Sequence, residues 1–329
     1  MIYDESGVLD ELYFANAPMR RAGEASADVT LGHRIATDRC NALDLPTPLI
    51  LSGTERWKLP NVWQRFCGIL QRQQIGVYAT EQDFPDVEAT DLPIRFANIY
   101  AGEPITFSDV TSADAVQVNC WQRGSLNARW PSEAGAAQIA DYFSAIRAAT
   151  GNVPLGVGFR VGTSDADVRT AIDAGADYLC IASNERFVSV QHVALLNKMR
   201  RACIEADRKE AVIIAELPAA RPDEMLKLIA IGASVVALDT MLAPWVPEPA
   251  QPEEEESSGL AAALLGSALQ SNDPVAESMQ RVEADLVSCK ERMVDRMAEI
   301  AATSVAGLNE QNLRTSSTTL SRLLGVELL

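Results

Sequence analysis

The chain has 329 residues, with 28 Lys and Arg against 45 Asp and Glu and a net charge of −17. That balance, without any Lys/Arg-rich run, excludes nucleic acid and an anionic membrane surface as partners. The length is sufficient to bury a large core without disulfides or metals. A single α/β barrel takes about 250 residues, so there is room for one barrel and an appendage.

The N-terminal segment MIYDESGVLDELYF carries acids where a secretory signal needs a basic start, and no stretch approaches the length of a membrane span. The six cysteines, Cys40, Cys67, Cys120, Cys180, Cys203 and Cys289, form no CxxC pair and read as reduced thiols. The expectation is a cytoplasmic protein.

Residues 1–45 read as an N-terminal extension. From there, eight short apolar, β-rich runs alternate with helical segments: Pro48–Ser52, Ile75–Ala79, Arg95–Tyr100, Asp114–Cys120, Val153–Phe159, Asp177–Ala182, Ala211–Ala215 and Ser234–Leu238. Parallel strands buried on both faces have this near-continuous apolar character. Helices are predicted over Leu59–Gln73, Glu133–Thr150, Asp165–Ala174, Val190–Ala206 and Pro222–Ile231. The segments Glu81–Pro93 and Gly102–Thr111, rich in Pro and acids, predict loops. Eight βα units predict an α/β fold of the (β/α)8 TIM-barrel type over residues 46–243.

An internal repeat supports this. Ser164–Ile181 superposes without gaps on Arg221–Leu238, matching Asp167 with Glu224, Ile172 with Ile229, and Gly175-Ala176 with Gly232-Ala233. Each copy reads as a helix ended by a glycine at positive φ and followed directly by a strand.

Composition changes after Leu242. Residues 244–258 read as an acidic Pro/Glu linker containing Glu253–Glu256, and residues 259–329 as a C-terminal helical appendage. Within it, Gly259–Gln270 reads as a short helix. Asp273 and Pro274 then open a longer one with apolar residues at Val275, Met279, Val282, Leu286, Cys289, Met293, Met297 and Ile300. That stripe docks either on its own barrel or on another subunit, so a homo-oligomer or hetero-complex through Val275 to Ile300 is an expected partner mode. A last helix is predicted over Thr315–Leu324.

Three blocks of the chain resemble one family. LDLPTPLILSG, ending in Ser52 and Gly53, resembles its first barrel strand. Ser112–Gly124, SADAVQVNCWQRG, resembles its fourth. Gly151–Ile181, GNVPLGVGFRVGTSDADVRTAIDAGADYLCI, is the longest match. On these residues the chain resembles the FMN-binding barrel of glutamate synthases and their stand-alone relatives. The resemblance implies a (β/α)8 barrel and, in intact members, an FMN-dependent oxidoreductase of glutamate metabolism with an iron-sulfur cluster.

The family's functional positions are altered. Asn119 stands where the fourth strand carries Lys, although Gln122 matches the Gln that follows, and Gly158 stands where the fifth strand carries Lys. Ser183–Phe187 replaces a Gly-Gly-Thr-Gly loop. Glu216-Leu217-Pro218 replaces the glycines after the seventh strand, and Asp239-Thr240 replaces Gly-Thr after the eighth. Two carboxylates and a proline without N–H oppose a phosphate dianion at that place. No cysteine lies between Cys203 and Cys289, where the resemblance would put cluster ligands, so no iron-sulfur cluster is expected.

The remaining polar residues at strand ends collect in one barrel mouth: Ser52, Gly53, Thr80, Asn119, Gln122, Arg123, Arg160, Glu185, Glu216 and Asp239. No metal site is predicted. His33 and His192 read as surface residues, and GVGFRVG (Gly156–Gly162) lacks dinucleotide-loop spacing. The leading expectation is a barrel without a cofactor, serving as a structural or regulatory subunit, possibly beside an active flavoenzyme. The alternative is an active FMN-dependent oxidoreductase of amino-acid metabolism with a shifted flavin site. A third reading is a barrel that binds a carboxylate metabolite between Arg123 and Arg160.

Overall fold

The computed structural model describes residues 7–15, 29–59, 62–79, 93–100, 110, 112–121, 136–246 and 274–329. Eight parallel strands close into a barrel: β1 Leu49–Leu51, β2 Gly76–Tyr78, β3 Arg95–Tyr100, β4 Ala115–Asn119, β5 Leu155–Phe159, β6 Tyr178–Ala182, β7 Val212–Glu216 and β8 Val235–Ala237. Each lies within or beside the run that predicts it. Closure is made by β8 against β1, with Val236 opposite Leu49 and Ala237 opposite Ile50.

The period-two alternation of a strand sorts its side chains into two layers. Ile50, Tyr78, Phe96, Tyr178, Cys180 and Ile214 fill the barrel interior. Their alternates, among them Leu49, Val77, Val116, Leu179 and Ile213, meet the surrounding helices. In the interior, the Phe96 ring lies 5.4 Å from Tyr78 and 6.0 Å from Tyr178, edge-on to the latter. A hairpin of His33–Ile35 with Leu43–Leu45 adds Ile35 and Leu45 to that interior cluster and plugs the end where the strands start.

The helices are α1 Trp63–Arg72, α2 Ala136–Thr150, α3 Asp165–Asp173, α4 Val190–Glu205, α5 Pro222–Ile231, α6 Pro274–Glu299 and α7 Thr318–Leu324. The internal repeat has a physical basis in the caps of α3 and α5. Asp167 Oδ2 accepts the N–H of Ser164 at 3.1 Å, and Glu224 Oε2 accepts that of Arg221 at 3.1 Å, so the matched acids each close a helix N-terminus. The matched glycines take φ +98° at Gly175 and +136° at Gly232, which a side chain would strain.

The apolar stripe of α6 is occupied within the chain. Met279, Val282, Leu286, Cys289, Met293, Met297 and Ile300 are buried, and the helix packs on α1 and α5. Arg72 holds Glu283 at 2.9 Å and Trp245 Nε1 donates to Asp285 at 2.5 Å along its edges. A partner using this helix would therefore meet its outer, charged face. The extension and the appendage also meet: Leu12–Phe14 pairs antiparallel with Leu313–Thr315, which pairs with Glu327–Leu328.

Part of Thr315–Leu324 is thus strand, and the helix starts at Thr318. The acidic linker, the helix over Gly259–Gln270, Asp273 and most of the two predicted acidic loops lie outside the described residues. Among the described residues no helix is long and apolar enough to cross a membrane.

Candidate functional site

A cavity of about 690 Å³ opens at the end of the barrel where the strands finish. Its floor is a polar network carried by inward-facing residues of five strands. Tyr78 OH on β2 donates to Gln117 Oε1 at 2.6 Å. Gln117 Nε2 on β4 donates to Asn119 Oδ1 at 2.8 Å and to Glu216 Oε1 at 3.1 Å. Asn119 Nδ2 donates to Asn98 Oδ1 on β3 at 2.9 Å, and Cys180 Sγ on β6 donates to Glu216 Oε1 at 3.0 Å. Gln117 and Asn119 share a face because they stand two apart on one strand.

Glu216, at the tip of β7, is the one carboxyl in this floor among the described residues. Removal from water raises its pKa above the usual carboxylate range, the charge of Asp239 pushes the same way, and the hydrogen bonds from Cys180 and Gln117 oppose the rise. Burial likewise drives the Tyr78 phenol and the Cys180 thiol well above their ordinary values, with the Glu216 charge adding to both.

The rim is divided by charge. On one side, the Arg160 guanidinium lies 4.3 Å over the Trp121 ring, which Tyr100 meets edge-on at 6.3 Å; Arg186, after β6, lines the same cavity, and Arg56 lines it from the turn after β1. Burial lowers the pKa of Arg160, which nevertheless carries its charge at any physiological pH. On the other side, Asp239 follows β8 and its carboxylate is held by β1. Asp239 Oδ2 accepts Ser52 N–H at 3.1 Å and Ser52 Oγ–H at 2.7 Å, and Oδ1 accepts the N–H of Gly53.

Ser52, Gly53, Arg160, Glu185, Glu216 and Asp239 thus line one cavity, and Asn119 is buried in its floor. Thr80, Gln122 and Arg123 lie outside the described residues, as does any pairing of Arg123 with Arg160. Sequence reading missed Asn98, Gln117, Cys180, Tyr100 and Trp121. Polar residues alternating within otherwise apolar strands, as in RFANIY and AVQVN, are the signal that finds the first two.

Two other expectations are corrected. His192 is buried, and its Nδ1 accepts the N–H of Ser189 at 3.0 Å, capping α4. His33 is half-buried, on the first strand of the plugging hairpin. Among the described residues, no group of three or more His, Cys, Asp or Glu side chains is placed to hold a metal ion.

The fold and this mouth define a closed (β/α)8 barrel with a single-ended, polar-floored cavity. No protein-family model matches the sequence, and no curated protein matches it. By fold the chain is similar to a mandelate oxidase variant with benzaldehyde, at 13% identity over 91% of this chain and 85% of that one, TM-score 0.57. It is similar to a mandelate oxidase variant with the monooxide FMN adduct, at 15% identity over 91% and 87%, TM-score 0.57. It is also similar to a flavocytochrome b2 variant with sulfite bound, at 12% identity over 95% and 78%, TM-score 0.61. At these identities the likeness is one of fold.

The barrel expected from sequence is therefore of a type found in FMN-dependent oxidoreductases. The expectation of no cofactor is overturned by the same finding: solved structures sharing this fold carry FMN, as the adduct-bearing mandelate oxidases do.

The mouth fits the two ends of FMN differently. Its volume lies in the range of small-molecule sites, and Trp121, Tyr100 and Arg160 offer aromatic faces and a cation to a planar ring. Barrels of this class commonly bind phosphate at the loops after the seventh and eighth strands. Here Pro218 supplies no N–H, Arg221 is held by Glu224 at 2.6 Å and Asp10 at 2.7 Å, and Asp239 sits on the β1 amides. That end does not fit a phosphate.

Proposed function

We propose that this chain is an FMN-dependent oxidoreductase acting on a small carboxylate substrate, with the flavin seated toward Arg160 and away from Asp239. The observation that carries the reading is the convergence, in one cavity of an FMN-type barrel, of a guanidinium at the rim and a proton-holding carboxyl at the floor. Bound FMN would supply the acceptor for the electron pair leaving the substrate.

The rest falls to the chain's own residues. Arg160 binds the substrate carboxylate, its plane already set by stacking on Trp121. Glu216 Oε takes up or returns the substrate proton, since a carboxyl raised by burial works closer to neutral pH than a solvated one. Gln117 and Cys180 hold that carboxyl in place at 3.1 and 3.0 Å. The resemblance to glutamate synthases favours an amino acid or 2-oxo acid as substrate.

The non-catalytic reading is less well supported, because a scaffold protein has no need of a buried polar floor whose carboxyl burial makes costly to ionise. The test is reconstitution of purified protein with FMN, followed by anaerobic addition of 2-hydroxy acids, amino acids and 2-oxo acids. Retained flavin that bleaches with one of these classes is expected. Failure to retain any flavin, read by absorbance after desalting, would refute the reading.

A further inference from the structure

We propose that Asp239 is the resident anion of the barrel mouth: it fills the donor nest at the end of β1 and thereby decides that a ligand's anionic group binds on the opposite, arginine-lined side. The inference rests on the flavin reading only where flavins are used to test it.

The nest is a product of barrel closure. Leu238 N–H donates to Ile50 O at 2.9 Å, continuing the β8–β1 pairing one step past the strands, so that Asp239 arrives beside Ser52. Three donors then converge on one carboxylate: the N–H groups of Ser52 and Gly53 and the hydroxyl of Ser52. Successive backbone N–H groups aimed at one point form an anion-binding concavity, and three charge-assisted hydrogen bonds are a full complement for a small oxyanion.

Gly53 is needed for this approach. A Cβ there would stand 2.5 Å from Asp239 Oδ1, so any side chain would push the carboxylate out. Serine, glycine and aspartate act as one device, although 187 residues separate Ser52 from Asp239.

The consequence is electrostatic. A phosphate brought to the β8 end would find its donors taken and a fixed negative charge in their place, with Glu216 nearby on β7. Arg160, after β5, and Arg186, after β6, line the cavity from elsewhere on the rim. Asp239 is thus a specificity-determining residue that acts on the anionic part of a ligand and leaves an uncharged ring system untouched.

The experiment measures thermal shift with inorganic phosphate, against NaCl of equal ionic strength, for the wild-type protein, Asp239→Gly and Asp239→Asn. Riboflavin and FMN are titrated alongside. Phosphate is expected to raise the melting temperature of Asp239→Gly by several degrees more than that of the wild type, by filling the vacated nest. The ratio of FMN to riboflavin affinity is expected to rise about tenfold in Asp239→Gly and severalfold in Asp239→Asn, riboflavin itself changing little.

A phosphate-specific shift no larger in Asp239→Gly and Asp239→Asn than in the wild type overturns the proposal. So does an unchanged FMN-to-riboflavin ratio in both variants. If phosphate stabilises the variants more than the wild type while no protein retains a flavin, the nest assignment stands and the oxidoreductase reading falls.

Discussion

The buried carboxylate of Asp177 lies 2.6 Å from Arg147 Nη2. The same carboxylate accepts the hydroxyl of Thr37 at 2.5 Å and the N–H of Leu155 at 2.9 Å. One side chain therefore ties the N-terminal extension, the start of β5 and the end of α2 to the joint that precedes β6.

Removing it leaves a nearly buried guanidinium without its counter-charge. Asp177→Ala is expected to cost about 3–5 kcal/mol, measured by chemical denaturation. A loss below about 1 kcal/mol would show that Arg147 is satisfied by the carbonyls of Gly175 and Arg39, to which it also donates at 2.8 and 3.2 Å.

Glu216 gives a pH signature. Because burial raises its pKa, the folded protein keeps a proton that the unfolded chain, with a pKa near 4.5, has already released. Stability contributed by this group is present below the unfolded value and falls as pH rises through the folded one. Glu216→Gln keeps an acceptor for Gln117 and Cys180 and cannot ionise. The variant should melt a few degrees above wild type near pH 8, match it near pH 4, and lose turnover. Equal melting temperatures at both pH values would contradict a raised carboxyl.

His33 acts in the opposite direction. Burial chiefly, with Arg200 adding to it and Glu210 opposing, lowers its pKa from 6.5 to about 4. Between those values the unfolded chain binds the proton and the folded one does not, so stability drops as pH falls from 6.5 toward 4, by about 3 kcal/mol in all. His33→Gln should flatten that part of the profile. An acid profile identical to wild type would assign the loss to other groups.

Gly156 faces the interior of the barrel, where a Cβ would overlap the ring of Tyr178. Gly156→Ala should cost about 1–3 kcal/mol through displaced packing, visible in the denaturation midpoint. Gly158, two residues on, has the same relation to Asn119 and Trp121. The first two glycines of GVGFRVG make room for side chains of neighbouring strands, and the third, Gly162, takes φ +98° after β5, so none of them forms a nucleotide loop.

Local signals made the scaffold legible. Apolar runs of strand length, capping acids at Asp167 and Glu224, and glycines at Gly175 and Gly232 are each decided within a few residues, so the eight strands and their repeat were readable in chain order. The amphipathic stripe of α6 was readable too, but not what it packs on.

The site was legible only as a set of strand-end residues. Its arrangement was decided by closure of the barrel, which sets Asp239 against Ser52, joins Gln117 to Glu216, and stacks Arg160 on Trp121. Sequence by itself determined which residues form strands and helices, because propensity, capping and turn chemistry are local. Tertiary structure alone decided that a carboxylate which reads as a lost glycine is instead a bound anion. Hydrogen bonds across a closing seam depend on distances in space that spacing along the chain does not encode.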